Sequence, residues 1–148
     1  MLGINVASGS QTNVELLAAG QKIPHFRGVY MRNTLPKTGL RKRGDECGIM
    51  NFNLEGQQGS HWVAYCKRGH SERIYFDSFG YNTPHKLLQY LKNGDENAQI
   101  TRSQVQVQHD NTHECGGLCI AVLHALMTSK VSYNNILKEL EERFQRQS

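Results

Sequence analysis

At 148 residues, 38% of them apolar and 20% charged, the sequence suits one packed domain over residues 1–148 and excludes a disordered chain. No apolar run approaches the roughly 18 residues of a membrane helix, and Met1-Leu2-Gly3-Ile4-Asn5 lacks the basic start and apolar stretch of a secretory signal, so a soluble, non-secreted protein is expected. The net charge of +4 specifies no partner; the basic cluster Lys37, Arg41, Lys42 and Arg43 is expected to be a solvated loop, with weak DNA binding as the alternative.

In chain order, Thr12 or Asn13 caps a short helix carrying Val14, Leu16 and Leu17, and Gly20 ends it. Phe26 to Tyr30 reads as a strand. Residues 36–47, rich in Pro, Gly and charge, read as a loop, and Gly48 to Phe52 as a strand. Glu55 to Ser60 reads as a further loop. His61 to Lys67 and Arg73 to Asp77 form two strands joined by a polar connection containing Gly69, as a hairpin needs. Thr83 caps, and Pro84 opens, a helix with Leu87, Leu88 and Leu91 on its apolar face. Ser103 to Gln108 alternates Val105 and Val107 with glutamines, the period of a strand. Cys115 to Met127 is small or apolar almost throughout, which predicts a central buried helix. Beyond Ser132, Tyr133, Ile136, Leu137, Leu140 and Phe144 recur at the spacing of an amphipathic surface helix. The expected fold class is α+β, a mostly antiparallel sheet packed against helices, with Cys115 at the start of the most buried one.

A hairpin centred on Gly69 sets His61 opposite Asp77, where a carboxylate can fix the ring's tautomer and stabilise its charge; an unremarkable His–Asp pair is the plainer alternative. At a helix start, backbone N–H groups and the dipole favour the thiolate of Cys115, and Gly116 and Gly117 leave room for a substrate carbonyl. A lone cysteine there is more often structural. Gln108 precedes Cys115 by seven residues across a loop-like stretch, near enough for its amide to meet developing negative charge; otherwise it is a surface glutamine like Gln104 and Gln106. Cys47, Cys66 and Cys119 lie in apolar stretches, which fits buried thiols in a reduced protein better than two disulfides. Together the pieces fill the roles of acyl transfer.

At these residues the chain resembles the adenovirus proteases. The resemblance covers roughly residues 13 to 128. It rests on Gly59-Ser60-His61-Trp62, Asp77-Ser78-Phe79-Gly80, the order Gln108, Asn111, Cys115, and Cys115-Gly116-Gly117-Leu118-Cys119. Phe26-Arg27-Gly28-Val29-Tyr30 and Cys47-Gly48-Ile49-Met50-Asn51 add to it. The family's acidic residue is often Glu, where this chain has Asp77, as do the related proteases of ubiquitin-like proteins. The stretch beyond Ser129 has no match. Such proteases also occur in other viruses and virus-derived mobile elements.

The resemblance implies a cysteine endopeptidase with the adenovirus-protease fold: Cys115 the nucleophile, His61 the base, Asp77 its orienter, Gln108 an oxyanion donor. It implies protein or peptide substrates, viral structural precursors cut near glycine-containing motifs, and a place in the virion or the host-cell interior. A protease of ubiquitin or SUMO tails is the alternative function, and a catalytically dead binding module a lesser one. Trp62 either lines the cleft or fills the core. Met1-Leu2-Gly3-Ile4 loosely fits a self-cleavage site, as does Leu54-Glu55-Gly56-Gln57. Zinc on His109, His113, Cys115 and Cys119 is disfavoured, because the cysteine spacing is not that of a knuckle and Gly116-Gly117 suits a helix start. No cofactor or metal is expected. A monomer is expected, and any peptide activator is expected to bind reversibly.

Overall fold

The computed structural model describes residues 4–7, 9–31, 34–52, 61–69, 71–129 and 131–147. The expected Glu55–Ser60 loop, both loose self-cleavage motifs in large part, and Gly59-Ser60 lie outside these residues.

Thr12 caps helix α1 (Asn13–Gly20), with Glu15 closing a reciprocal capping box. Strand β1 (Phe26–Met31) follows. Strand β2 (Glu46–Asn51) starts two residues earlier than the sequence suggests, because Glu46, a fully buried carboxylate, is drawn into the sheet by partners distant in sequence. It accepts hydrogen bonds from the hydroxyl of Tyr65 at 2.7 Å, from Tyr90, and from the backbone N–H of Arg41 at 2.9 Å, and pairs with Arg27 at 3.3 Å. Part of the basic loop is thereby fastened to the sheet: buried Lys67 also donates to the carbonyls of Arg41 and Gly44.

Strands β3 (Trp62–Arg68) and β4 (Glu72–Phe76) form the hairpin. Their register pairs Ala64 with Phe76 and Arg68 with Glu72, two residues away from the expected one. Helix α2 (His85–Lys92) begins after Pro84, which itself occupies the cap position in place of Thr83. Leu87, Tyr90 and Leu91 are its buried residues, while Leu88 is only half-buried. Strand β5 (Ile100–Arg102) is followed by helix α3 (Cys115–His124), a π-helical turn (Ala125–Ser129) and helix α4 (Tyr133–Arg146), capped by Ser132. The π turn is braced by Arg68, whose guanidinium donates to the carbonyls of Leu126 and Val131.

The sheet order among the described residues is β1-β2-β3-β4-β5. The central three strands are antiparallel and each edge strand is parallel to its neighbour, so the α+β class holds with a mixed sheet. Ser103 to Gln108 forms no strand and bends at Val105 and Gln108, contrary to the alternation of its residues. β4 ends at Phe76, so this stretch has no strand to lie against; instead the N–H of Val107 donates to the carbonyl of Ser78 at 2.8 Å. Val107 is buried and Val105 exposed, so they do not share one face.

One core lies between the sheet and α1, α3 and α4, gathering Leu16, Ile49, Ala64, Phe76, Leu118, Val122, Ile136 and Leu140. A smaller core on the other face unites Val63, Tyr65 and Tyr75 with Leu87 and Leu91 of α2. Trp62 belongs to the larger core and is 6% exposed. α3 is buried along most of its length, as expected, and packs against β3. No helix among the described residues is long and apolar enough to cross a membrane.

Candidate active site

His61 sits at the head of β3, where its carbonyl accepts the N–H of Phe52 at 2.6 Å. Asp77 is the first residue beyond β4. Extending the observed register sets Asp77 opposite Val63, so His61 and Asp77 meet diagonally rather than face to face. The two-residue shift preserves the face on which each side chain projects, and an imidazole spans a diagonal. Nε2 of His61 lies 2.8 Å from Oδ1 of Asp77, both side chains being buried.

Asp77 is held by the turn that it opens. Gly80 N–H returns to the carbonyl of Asp77 at 2.9 Å, and Phe79 N–H donates to Asp77 Oδ1 at 2.8 Å. That second bond is an Asx turn, which a side chain of aspartate length makes to the backbone two residues on. The same oxygen therefore serves the turn and the histidine, a physical reason for Asp at this position. The Phe79 ring packs on the imidazole with centroids 5.1 Å apart. Asp77 Oδ2 is buried without a hydrogen bond of good geometry among the described residues, the Tyr75 hydroxyl being a neighbouring group that interacts with the same carboxyl.

The third partner of the imidazole is Cys115, the first residue of α3, which hydrogen-bonds to His61 through its side chain. With Nε2 engaged by Asp77, Nδ1 is the nitrogen left for the thiol. Burial works against the charged ring, but the hydrogen bonds to Asp77 and Cys115 and the charges of both outweigh it and push His61 up to about 9. The arrangement favours the charged form of the ring.

Gln108 is 1% exposed and is gripped at both ends of its amide. Oε1 accepts from Ser78 Oγ at 2.6 Å, and Nε2 donates to the carbonyl of Thr112 at 3.0 Å. The chain turns back between Gln108 and Cys115 through Asn111, whose φ of 67° lies in the left-handed region that asparagine tolerates.

All four predicted residues are thus buried at one end of the sheet and of α3. Two expectations are corrected. Gln108 does not end a strand. The space that side chains at Gly116 and Gly117 would take is filled by the chain's own N-terminal segment and α1: a Cβ at Gly117 would lie 2.5 Å from the carbonyl oxygen of Ala7, and one at Gly116 3.0 Å from Cβ of Gln11. Sequence reasoning missed Ser78, although it stands inside the motif that located Asp77; a serine in a turn directly after the acidic residue was the available signal.

The four cysteines are buried, and none forms a disulfide among the described residues. Cys119 Sγ faces the carbonyl of Trp62 at 3.4 Å, deep beneath the site. Among the described residues no cluster of His, Cys, Asp and Glu has the shape of a metal site, and His109 is instead stacked on Phe144 with its Nε2 at the Phe144 carbonyl.

Comparison with known proteins adds to this geometry. Over 117 residues the chain is 29% identical to the protease of bovine adenovirus 2, a match covering 70% of this chain and 56% of that protein. The chain resembles the adenovirus-type proteases. It spans little more than half the length of that relative. The fold is similar to the crystal structure of the ASFV protease in its selenomethionine form, with a TM-score of 0.51, 20% identity, and coverage of 85% of this chain and 47% of the other. No family model matches the chain.

Proposed function

We propose that the chain is a thiol endopeptidase in which Cys115, His61, Asp77 and Gln108 form the catalytic group. The observation that carries this reading is the placement of His61 between the Asp77 carboxylate at 2.8 Å and the Cys115 thiol at the start of a buried helix. The likeness to viral proteases supports it.

In this mechanism Asp77 holds the His61 ring and stabilises its positive charge. His61 takes the Cys115 proton, and the thiolate attacks a peptide carbonyl. The second N–H of the Gln108 amide and the backbone N–H of Cys115 meet the oxyanion as it forms. The imidazolium then protonates the leaving amine, and water releases the acyl group. Every proton in this cycle is carried by groups of the chain or by water. Substrates are proteins or peptides, viral structural precursors among them, and the site of action is the virion or the interior of the host cell.

The test is peptidase activity on a peptide library, with Cys115→Ala beside the wild type. Cys115→Ala should lose all activity and the fast reaction with low concentrations of iodoacetamide while keeping its fold. Burial pushes the Cys47 thiol up to about 12 and raises that of Cys66 as well, so neither should label quickly. A fast-reacting Cys47 or Cys66, or an active Cys115→Ala, would overturn the assignment.

A further inference from the structure

The Gln108 amide has two ends of opposite chemistry, and only one can stabilise an oxyanion. Thr112 offers a carbonyl oxygen, which can only accept. The amide end 3.0 Å from it must therefore be Nε2, which leaves Oε1 facing Ser78 Oγ at 2.6 Å. Oε1 cannot donate, so the serine hydroxyl must. Both side chains are buried, Ser78 at 0% and Gln108 at 1% exposure, so water does not compete for this bond.

Ser78 is itself fixed by its backbone. Its carbonyl receives the N–H of Val107, the residue before Gln108, at 2.8 Å. Gly80, with φ +75°, brings the same turn so close to residues 104–105 that a Cβ there would lie 3.0 Å from the Val105 carbonyl oxygen. The turn that anchors Asp77 is therefore also packed against the segment that carries Gln108.

We infer that Ser78 is a positioning residue for the oxyanion site: the Thr112 carbonyl sets which end of the amide is N–H, and the Ser78 hydroxyl, by hydrogen-bonding Gln108 Oε1, holds the amide in the place where that N–H can meet the reacting carbonyl. In this scheme Ser78 acts through Gln108. Without that hydroxyl, Oε1 loses its donor, and the amide is held at its Nε2 end alone. This inference rests on the thiol-protease reading above and deepens it.

The experiment compares the wild type, Ser78→Ala, Gln108→Ala and the double variant in two reactions of the same thiol. Peptide hydrolysis builds an oxyanion; alkylation by iodoacetamide, a displacement at carbon with iodide leaving, does not. Ser78→Ala should lower kcat about tenfold to a hundredfold, within the loss of roughly 10²–10³ expected for removing an oxyanion donor. KM should change less than about twofold, and the rate of Cys115 alkylation should be unchanged. The double variant should be no slower than Gln108→Ala alone. Full kcat in Ser78→Ala overturns the inference, as does an equal fall in alkylation, which would mean that Ser78 supports the triad or the fold instead. A double variant a further tenfold slower than Gln108→Ala also overturns it, since Ser78 would then act independently. A wild type without peptidase activity overturns the functional reading, whereas an active wild type with an unaffected Ser78→Ala overturns this inference alone.

Discussion

At the site, single residues answer to two demands at once. Oδ1 of Asp77 accepts from both the His61 ring and the Phe79 N–H, so it shapes the turn and orients the imidazole together. His61→Ala should remove nearly all of the kcat, on the order of 10⁶-fold, because members of a triad act as a unit. Asp77→Asn should be milder, on the order of 10⁴-fold, since an amide oxygen can still hold the ring but does not balance its charge. Steady-state kinetics of the two variants checks this, and a fully active Asp77→Asn removes Asp77 from the mechanism. The raised pKa of His61 has a consequence for stability as well. The folded protein holds the ring proton up to about pH 9, whereas an ordinary histidine releases it near 6.5. Between these values the folded state binds more protons than the unfolded, so stability falls as pH rises. The contribution should be fully present below about pH 6.5 and lost through about 9. Urea unfolding midpoints across that range should decline more steeply for the wild type than for His61→Gln; parallel profiles would show that the ring is not held charged.

Elements were legible where local chemistry decides them and illegible where distant partners do. A capping residue at Thr12 or Asn13, the helical spacing of apolar residues beyond Ser132 and the small apolar run of α3 announced three helices within a few residues of their bounds. The start of β2 was hidden because an acidic residue reads as loop, and it is Arg27, Tyr65 and Tyr90, drawn from β1, β3 and α2, with the backbone of Arg41, that make Glu46 a core residue. Ser103 to Gln108 misled in the opposite sense: its alternation is that of an extended chain, but strand pairing requires a neighbour, and β4 has already ended. The candidate residues were nonetheless found, since the order of their motifs does not depend on register. What the glycines of α3 are for became visible only in packing. Gly117→Ala should destabilise the fold by about 1–3 kcal/mol, because backbone at Ala7, not a flexible side chain, stands in the way. A urea midpoint unchanged from the wild type would show that the N-terminal segment does not lie on α3.

At the scale of the molecule, activation is what the arrangement of thiols constrains. By resemblance, adenovirus proteases are stimulated by a peptide that becomes disulfide-linked to a cysteine ahead of the oxyanion glutamine. This chain has no cysteine between Cys66 and Cys115. Cys47, Cys66 and Cys119 are all at 0% exposure. Cys47 and Cys66 face each other across β2 and β3 beneath α3, and Cys119 lies one turn into that helix. A peptide thiol would have to open the core to reach any of them, and linkage to Cys115 would block the nucleophile proposed above. The site meanwhile holds together within the chain: the imidazole has both partners, and the Gln108 amide is fixed at both ends. Activity should therefore need no covalent activator, and a stimulating peptide or DNA should bind reversibly. The measurement is peptidase activity of purified protein under full reduction, with and without candidate viral peptides, reductant being present in both arms because Cys115 requires it. Activity without peptide, or stimulation that persists in reductant and vanishes on dilution, is the expected result. An active form carrying a disulfide-bound peptide, and losing most of its activity when that bond alone is reduced, would mean that one of the three buried thiols opens to solvent in the working enzyme.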